Sequence, residues 1–204
     1  MKISTLLEIY KNRSTIIPLI KYHLMMQNKN EQNFWGSIND DDRNAIKDNT
    51  LKAANYPGPI IEIGALFGFT SQFIARHKKQ EQQLIVVELF EWNPFMLSQK
   101  DHRLFTDRVL YYCQECCNLS IFEGSNKTFY KNYNGITPSM VFIDAEHTYN
   151  GVMVDIEWAK SMKIPIICGH DYHPNHPGVK RAVDESFLGN FKVKGSVWTA
   201  EIFS

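Results

Sequence analysis

The sequence lacks the features that mark several large classes of protein. Its 204 residues carry 22 basic and 22 acidic side chains, so no positive surface for nucleic acid is indicated and no nucleic-acid partner is expected. No apolar run is long enough to cross a bilayer, which argues against a membrane partner. The stretch MKISTLLEIYKNRST has Glu8 among its apolar residues and no small-residue cleavage site, so it does not resemble a signal peptide. A cytoplasmic location is therefore expected.

Cysteine is scarce and unevenly placed. Cys113, Cys116 and Cys117 lie within five positions, and Cys168 stands alone. This spacing suits neither a disulfide framework nor, without a second pair, a zinc finger. We expect reduced, partly buried thiols.

The dinucleotide-binding fingerprint G-x-G-x-x-G is also absent. In its place, residues 60–71 have the sequence IIEIGALFGFTS, in which a short apolar run typical of a buried strand is followed by Gly64 and Gly68 and then by a helical pattern. Glycine in such a turn lets the backbone approach a ligand, and the following helix offers free N–H groups to it. An ordinary tight turn between a strand and a helix is the alternative, because a pair of glycines is weak evidence alone.

Strands and helices alternate along the rest of the chain. The predicted strands lie at 60–63, 84–88, 119–123, 139–144 and 164–169, with a closing pair at 191–194 and 197–203. This order predicts an α/β fold, in the form of a Rossmann-like, doubly wound, seven-stranded sheet that is mostly parallel and ends in an antiparallel C-terminal hairpin. The length predicts a single domain, 1–204, whose core is 57–204.

The first part of the chain, 1–56, has helical spacing of apolar residues and ends at a Pro-Gly-Pro turn, so a helical leader or cap is expected. Three consecutive acids, Asp40 to Asp42, precede a helical pattern at 46–54. Asp40 or Asp41 is expected to cap that helix, with the acids in solvent, because acidic first turns suit the helix dipole.

Two strings in the sequence resemble a known family. The spacing Glu62-x-Gly64-x-x-x-Gly68 is similar to the first motif of class I S-adenosylmethionine-dependent methyltransferases. The string IEIGALFGFTS most resembles the branch of catechol O-methyltransferases and macrolide or sugar O-methyltransferases. FIDAEHTYNGVMVDIEWA and IICGHDYHPNHPGVKRAVDESF resemble the same branch, so the likeness covers about 59–187. It implies S-adenosylmethionine as cofactor and methylation of a hydroxyl on a small molecule or sugar.

The resemblance also implies a set of cofactor contacts. Thr70, just after the second glycine, is at the position that helps hold the methionine carboxylate. Glu88 ends the second strand, where a carboxylate can accept both ribose hydroxyls, and Glu91 is an alternative in poorer register. Ser125 best fits the residue that binds the adenine edge, with Asn126 second. The full predicted cofactor set is Glu62, Gly64, Ala65, Gly68, Thr70, Ser71, Glu88, Ser125, Asn126 and Asp144.

Asp144 and Asp171 follow the fourth and fifth strands, whose ends share one crevice in an open α/β sheet. Carboxylates favour Mg²⁺ or a similar hard ion, and the resemblance supports a divalent metal with His170 as third ligand. After the fifth strand the branch carries a pair of residues, either two acids or an acid and an amide, and His170 stands at the first position of that pair. An imidazole there shifts the metal preference toward Mn²⁺, Fe²⁺ or Zn²⁺. A metal-free site is the alternative.

His147 lies three residues after Asp144, where the branch carries its general base. A histidine titrates near working pH and can accept a hydroxyl proton, so His147 and Asp144 are the predicted catalytic residues. The alternative for His147 is a helix cap. Two other functions remain open at this point, a non-catalytic S-adenosylmethionine-binding module and a nicotinamide-dependent oxidoreductase. The expected partner is a hydroxylated small molecule, together with a possible second copy of the chain.

Overall fold

The structure, a computed structural model, describes Leu7, Tyr10, Lys11, Arg13 and residues 38–94 and 96–202. The remainder of the predicted leader before residue 38 lies outside these residues. The ranges 38–94 and 96–202 contain six helices. They are α1 (Asp40–Ala53), α2 (Phe69–His77), α3 (Gln99–Cys116), α4 (Asn126–Asn132), α5 (Tyr149–Ser161) and α6 (Pro177–Phe187).

Seven strands form one sheet. They are β1 (Ile60–Ile63), β2 (Leu84–Glu88), β3 (Leu119–Glu123), β4 (Met140–Ile143), β5 (Ile166–Gly169), β6 (Lys192–Lys194) and β7 (Val197–Glu201). The order is β3-β2-β1-β4-β5-β7-β6, in which the first five strands are parallel and β7 is antiparallel to both β5 and β6. The predicted fold class is therefore confirmed.

Helices cover both faces of the sheet because neighbouring side chains along each strand point to opposite sides. Ile60 packs in a core with α1, α2 and α3, whereas Ile61 and Ile63 pack in a second core with α4, α5 and α6. The four residues of β1, β4 and β5 are all buried. Their near-continuous apolar character is what a parallel strand covered on both faces requires.

The start of α1 differs from the prediction. Asn39 caps the helix by accepting a hydrogen bond from the backbone N–H of Asp42, whose carboxylate in turn accepts from the N–H of Asn39. This reciprocal capping box satisfies two helix-end donors, so neither Asp40 nor Asp41 is the cap. Asp42 is only 1% exposed, so the expectation of a solvated acid was wrong at this position.

Helix α3 begins at residue 99, because Ser98 caps it through a hydrogen bond from the N–H of Asp101. Its body contains the apolar run 109–113. Leu110 and Cys113, three residues apart, are buried against the sheet, as expected for one face of a helix.

Two features of the structure bear on the scarcity of cysteine and on the lack of long apolar runs. All four cysteines are free, and Cys113 and Cys168 are buried, which confirms the prediction of partly buried thiols. Within the described ranges, no helix has the length and apolar character needed to cross a membrane.

Candidate active site

The register of three central strands places three predicted site residues in one row. Ile63 pairs with Ile143, and Ile143 pairs with Gly169. The next residues along the chain are Gly64, Asp144 and His170, which therefore leave the sheet side by side. Backbone hydrogen bonds continue the ladder to this point, from Asp144 N to Ile63 O at 2.8 Å and from His170 N to Ile143 O at 3.0 Å.

Gly64 is required here by the neighbouring strand. Its φ is +86°, and a Cβ at this position would collide with the backbone oxygen of Asp144 and lie 2.7 Å from the Cα of Ala145. Gly64 therefore brings the turn after β1 into direct contact with the end of β4. Gly68 has a different neighbour, since its Cβ would meet the side chain of Leu110 in α3 at 2.8 Å.

Glu88 reaches back from the end of β2 to the glycine turn. One carboxylate oxygen accepts the backbone N–H groups of Ala65 and Leu66, both at 2.8 Å, and the other accepts those of Leu89 and Phe90 at 2.9 and 3.0 Å. Four N–H donors use all the acceptor positions of a carboxylate. Glu88 thus holds the turn in shape, and any ligand hydroxyl at Glu88 has to share or displace these donors.

Glu62 lies beneath the same turn and is fully buried. Neither of its oxygens has a hydrogen-bond partner among the described residues, and the same holds for the nearby buried Ser71 hydroxyl. Burial raises the pKa of Glu62 to about 8, and the negative charges of Asp144 and Glu88 act in the same direction, while Ser71 opposes them. An unpartnered buried carboxyl costs stability unless a donor reaches it. Thr70, in the first turn of α2, is partly exposed.

The two residues predicted for the adenine edge both have partners. Ser125 caps α4, accepting from the N–H of Thr128 at 3.1 Å. Asn126 donates to Asp155 at 2.6 Å, and the hydroxyl of Tyr130 donates to the same oxygen at 2.7 Å. Asp155 is fully buried, and burial raises its pKa to about 6. Sequence reasoning missed this acid, which fixes the side chain of Asn126.

The predicted catalytic and metal-binding side chains form one cluster. His170 Nδ1 lies 3.2 Å from Asp171 Oδ1 and 3.8 Å from Asp144 Oδ1, without the alignment of a hydrogen bond to either. His147 Nε2 lies 2.7 Å from Asp171 Oδ2. Asp171 has a left-handed φ of +60°. A non-glycine residue in this sparsely populated region is common at functional sites.

Burial and mutual charge shift every group in this cluster. Burial raises the pKa of Asp144 to about 6. Burial alone would lower the pKa of His170, but the carboxylates of Asp171, Asp42 and Asp144 raise it to about 10. Asp171 shows the reverse balance, because its two histidine partners outweigh burial and lower its pKa well below the usual range. The hydrogen bond to Asp171 raises the pKa of His147 above 6.5.

Two sets of three side chains within the described residues can each offer ligand atoms to one metal ion. The first set is Asp144, His170 and Asp171, and the second is His147, Asp171 and His176. The first matches the predicted metal ligands and is the more buried. The second includes His176, whose Nε2 lies 3.7 Å from Asp171 Oδ1. The sequence H-D-Y-H-P-N-H at 170–176 could have indicated this second set, because His176 follows Asp171 by five residues across a turn.

A larger cavity, of about 570 Å³, lies away from this cluster. It is lined by the segments that precede β1 and β2 and by α4 with the stretch after it, including Pro59, Gln83, Phe129 and Tyr133. None of the predicted site residues lines it. The cluster itself encloses only about 10 Å³, at the crevice formed by the strand ends.

No protein-family model matches the chain, and a search of curated proteins found no match. Among solved structures, the O-methyltransferase from Bacillus cereus in complex with S-adenosylhomocysteine has a TM-score of 0.62 at 13% identity, over 92% of this chain and 89% of that one. TomG, an O-methyltransferase from Streptomyces achromogenes involved in tomaymycin synthesis and solved with S-adenosylmethionine, has a TM-score of 0.59 at 15% identity over 79% of each chain.

A third similar structure is CalS11, a calicheamicin methyltransferase, with a TM-score of 0.63 at 12% identity over 96% of this chain and 93% of that one. At such low identities the likeness establishes the fold, which is the Rossmann-like methyltransferase fold.

The raised pKa of Glu62 predicts an unusual dependence of stability on pH. Its ordinary value is 4.5 and its value in the native state about 8, so the native state retains a proton that the unfolded chain releases. Stability should therefore fall as pH rises from about 4.5 to about 8. Glu62→Gln removes this term, so denaturant unfolding should show the variant gaining stability relative to the parent chain across that interval. Glu91→Gln, at an exposed position, should show the same dependence of unfolding free energy on pH as the parent chain. The same dependence in Glu62→Gln would contradict the raised pKa of Glu62.

Proposed function

We propose that this protein is an S-adenosylmethionine-dependent O-methyltransferase that methylates a hydroxyl of a small molecule with the help of a divalent metal. The observation that carries the proposal is the row formed by Gly64, Asp144 and His170. It joins a turn suited to a nucleoside cofactor to a set of metal ligands, and the two are in van der Waals contact through Gly64 and Asp144. The similar fold of TomG, solved with S-adenosylmethionine, supports it.

The cofactor would bind along the glycine turn, between the ends of β1 and β2. When bound, S-adenosylmethionine supplies a methyl group that is already activated for transfer. Glu62 fits a cationic or donating ligand group above it, because such a group would satisfy a buried carboxyl whose oxygens accept no hydrogen bond from the described residues. Glu88 would meet the ribose, and Asn126, held by Asp155, would meet the adenine edge.

The chain's ligand set fits a divalent cation. Asp144 and Asp171 offer oxygen, and His170 offers Nδ1, which is buried and free of hydrogen bonds within the described residues. Mg²⁺ prefers an all-oxygen set, so the imidazole favours Mn²⁺, Fe²⁺ or Zn²⁺ among the ions this site can hold. A bound divalent ion would lower the pKa of an acceptor hydroxyl.

His147 would take the hydroxyl proton. Its Nε2 is engaged with Asp171, so Nδ1 is the nitrogen that can accept a proton in the neutral ring. Its side chain is 45% exposed, which leaves it within reach of a substrate entering the crevice. The carboxylate orients the ring and stabilises the charge that forms when the proton arrives, as in other carboxylate–histidine pairs.

The cofactor assignment predicts a loss of affinity in Glu88→Ala. Removal of a charged hydrogen-bond acceptor should weaken S-adenosylhomocysteine binding by about 1.5–3 kcal/mol in calorimetry. Glu91→Ala, at the alternative position in poorer register on the same segment, should change affinity by less than about 0.5 kcal/mol. Because Glu88 also holds the turn, circular dichroism should first show that the variant is folded. Equal affinity in folded Glu88→Ala and the parent chain would refute the ribose assignment.

The metal assignment predicts that chelation abolishes turnover and spares cofactor binding. Asp144→Asn should act in the same way, since an amide is a poorer ligand for a hard cation. His176→Ala is the matched control, because it removes a ligand from the second set only. Retained turnover in a chelated, metal-free sample would reject the metal. Loss of metal affinity in His176→Ala but not in Asp144→Asn would move the metal to the second set.

The base assignment predicts a characteristic pH profile. The pKa of His147 is raised by Asp171, so the neutral, proton-accepting form and the rate should grow as pH rises through a value above 6.5. His147→Ala should lower turnover by about 10²–10⁴-fold at neutral pH and recover part of it at high pH, where hydroxide replaces the base. His173→Ala, at an exposed position two residues after Asp171, should behave as the parent does. Parental turnover in His147→Ala at neutral pH would sink the assignment.

A further inference from the structure

A buried acid from the leader helix reaches the far side of His170. Asp42, in the first turn of α1, is 1% exposed and is separated from His170 by 128 residues of sequence. Its Oδ2 lies 3.4 Å from His170 Nε2. No family resemblance pointed to this residue, and its two acidic neighbours, Asp40 and Asp41, are both exposed.

Ser196, in the turn between β6 and β7, connects the two side chains. Its backbone N–H donates to Asp42 Oδ1 at 2.7 Å, and its hydroxyl lies 3.1 Å from the same oxygen. His170 Nε2 lies 2.9 Å from that hydroxyl. The three groups therefore form a continuous chain from the leader helix to the end of β5.

The direction of each hydrogen bond in this chain follows from its end. An ionised carboxylate only accepts, so the Ser196 hydroxyl donates to Asp42. The serine oxygen then accepts, and the donor is the Nε2–H of His170. In the neutral ring that a cation requires, the proton therefore stays on Nε2, and Nδ1, which faces Asp144 and Asp171, is the nitrogen that offers a lone pair.

The surroundings hold Asp42 in place. The N–H of Asn39 donates to its Oδ2 at 2.8 Å, and Gly195 has no Cβ to collide with its Oδ1. Two further contacts fix α1 to β7, a 2.7 Å hydrogen bond from Asn49 to Thr199 and a 2.6 Å ion pair of Lys52 with Glu201. The helix is thus docked on the C-terminal hairpin along its length.

We propose that Asp42 is a positioning residue for the metal site, holding His170 through Ser196 so that Nδ1 points at the cation position between Asp144 and Asp171. A metal-binding histidine usually donates its second ring N–H to an acceptor that sets the tautomer and the ring orientation. The inference rests on the proposed function. It gives helix α1, which precedes the cofactor-binding core, a role in orienting a metal ligand of that core.

The test uses the full chain and four variants with Mn²⁺ as probe. Asp42→Asn and Ser196→Ala should each weaken Mn²⁺ binding by about 10–100-fold in calorimetry. Ser196→Thr, which keeps the hydroxyl, should restore the parental affinity. Asp41→Asn, the exposed neighbour on the same turn, should match the parent. Affinity for S-adenosylhomocysteine should stay constant in all four, because none of these residues contacts the glycine turn.

Nuclear magnetic resonance of ¹⁵N-histidine protein without metal provides an independent measurement. The parent should show His170 protonated at Nε2 and hydrogen-bonded, and both Ser196→Ala and Asp42→Asn should lose that bond. Ser196→Ala keeps the backbone contact to Asp42, so it remains informative if Asp42→Asn does not fold. An unchanged His170 signal in folded Ser196→Ala, or parental Mn²⁺ affinity in it, would overturn the proposal.

Mn²⁺ binding distinguishes the positioning role of Asp42 from the existence of the metal site. If the parent binds Mn²⁺ and Asp144→Asn weakens it while Ser196→Ala does not, the metal site stands and the positioning role is refuted. If the parent binds no Mn²⁺, the metal part of the proposed function is refuted and Asp42 positions no ligand.

Discussion

Parallel pairing of β4 with β1 on one side and β5 on the other is the constraint on which the site depends. It places Ile63, Ile143 and Gly169 in one row, so the chain leaves the sheet at three adjacent points. The residues that follow are a glycine, an aspartate and a histidine, and no long loop is needed to bring them together. A shift of one residue in β4 would turn Val141 and Ile143 out of their core, so the buried strands also keep the site in register.

Crowding of negative charge is the second constraint at this edge. Asp42, Asp144 and Asp171 surround the single ring of His170, and all four groups are poorly exposed to water. Without a neutralising partner such carboxylates would be costly, which explains why burial raises the pKa of Asp144 to about 6. A protonated His170 supplies one positive charge that offsets part of this crowding, and under the proposed function a divalent cation in place of the Nδ1 proton would supply more.

Local patterns were sufficient for most of the fold and part of the site. Strands β2 and β3 match the predicted 84–88 and 119–123, because short segments rich in apolar residues and bounded by polar ones carry their own signal. Asp144, His147, His170 and Asp171 could be grouped in advance, since the ends of parallel strands share one edge. The start of α1 could not be predicted, because several neighbouring polar residues can cap a helix and only the reciprocal hydrogen bonds between Asn39 and Asp42 select Asn39.

The sequence alone determined the alternation of strands and helices, the glycine turn and the identity of the side chains at the strand ends, since each of these depends on neighbouring residues. Tertiary structure alone decided that Glu88 holds the glycine turn, that Asn126 is fixed by Asp155, and that Asp42 reaches His170. The last contact spans 128 residues and passes through Ser196 in the hairpin turn. An acid in an Asp-Asp-Asp run appears solvated in any local window, and only the docking of α1 on β7 removes one of the three from water.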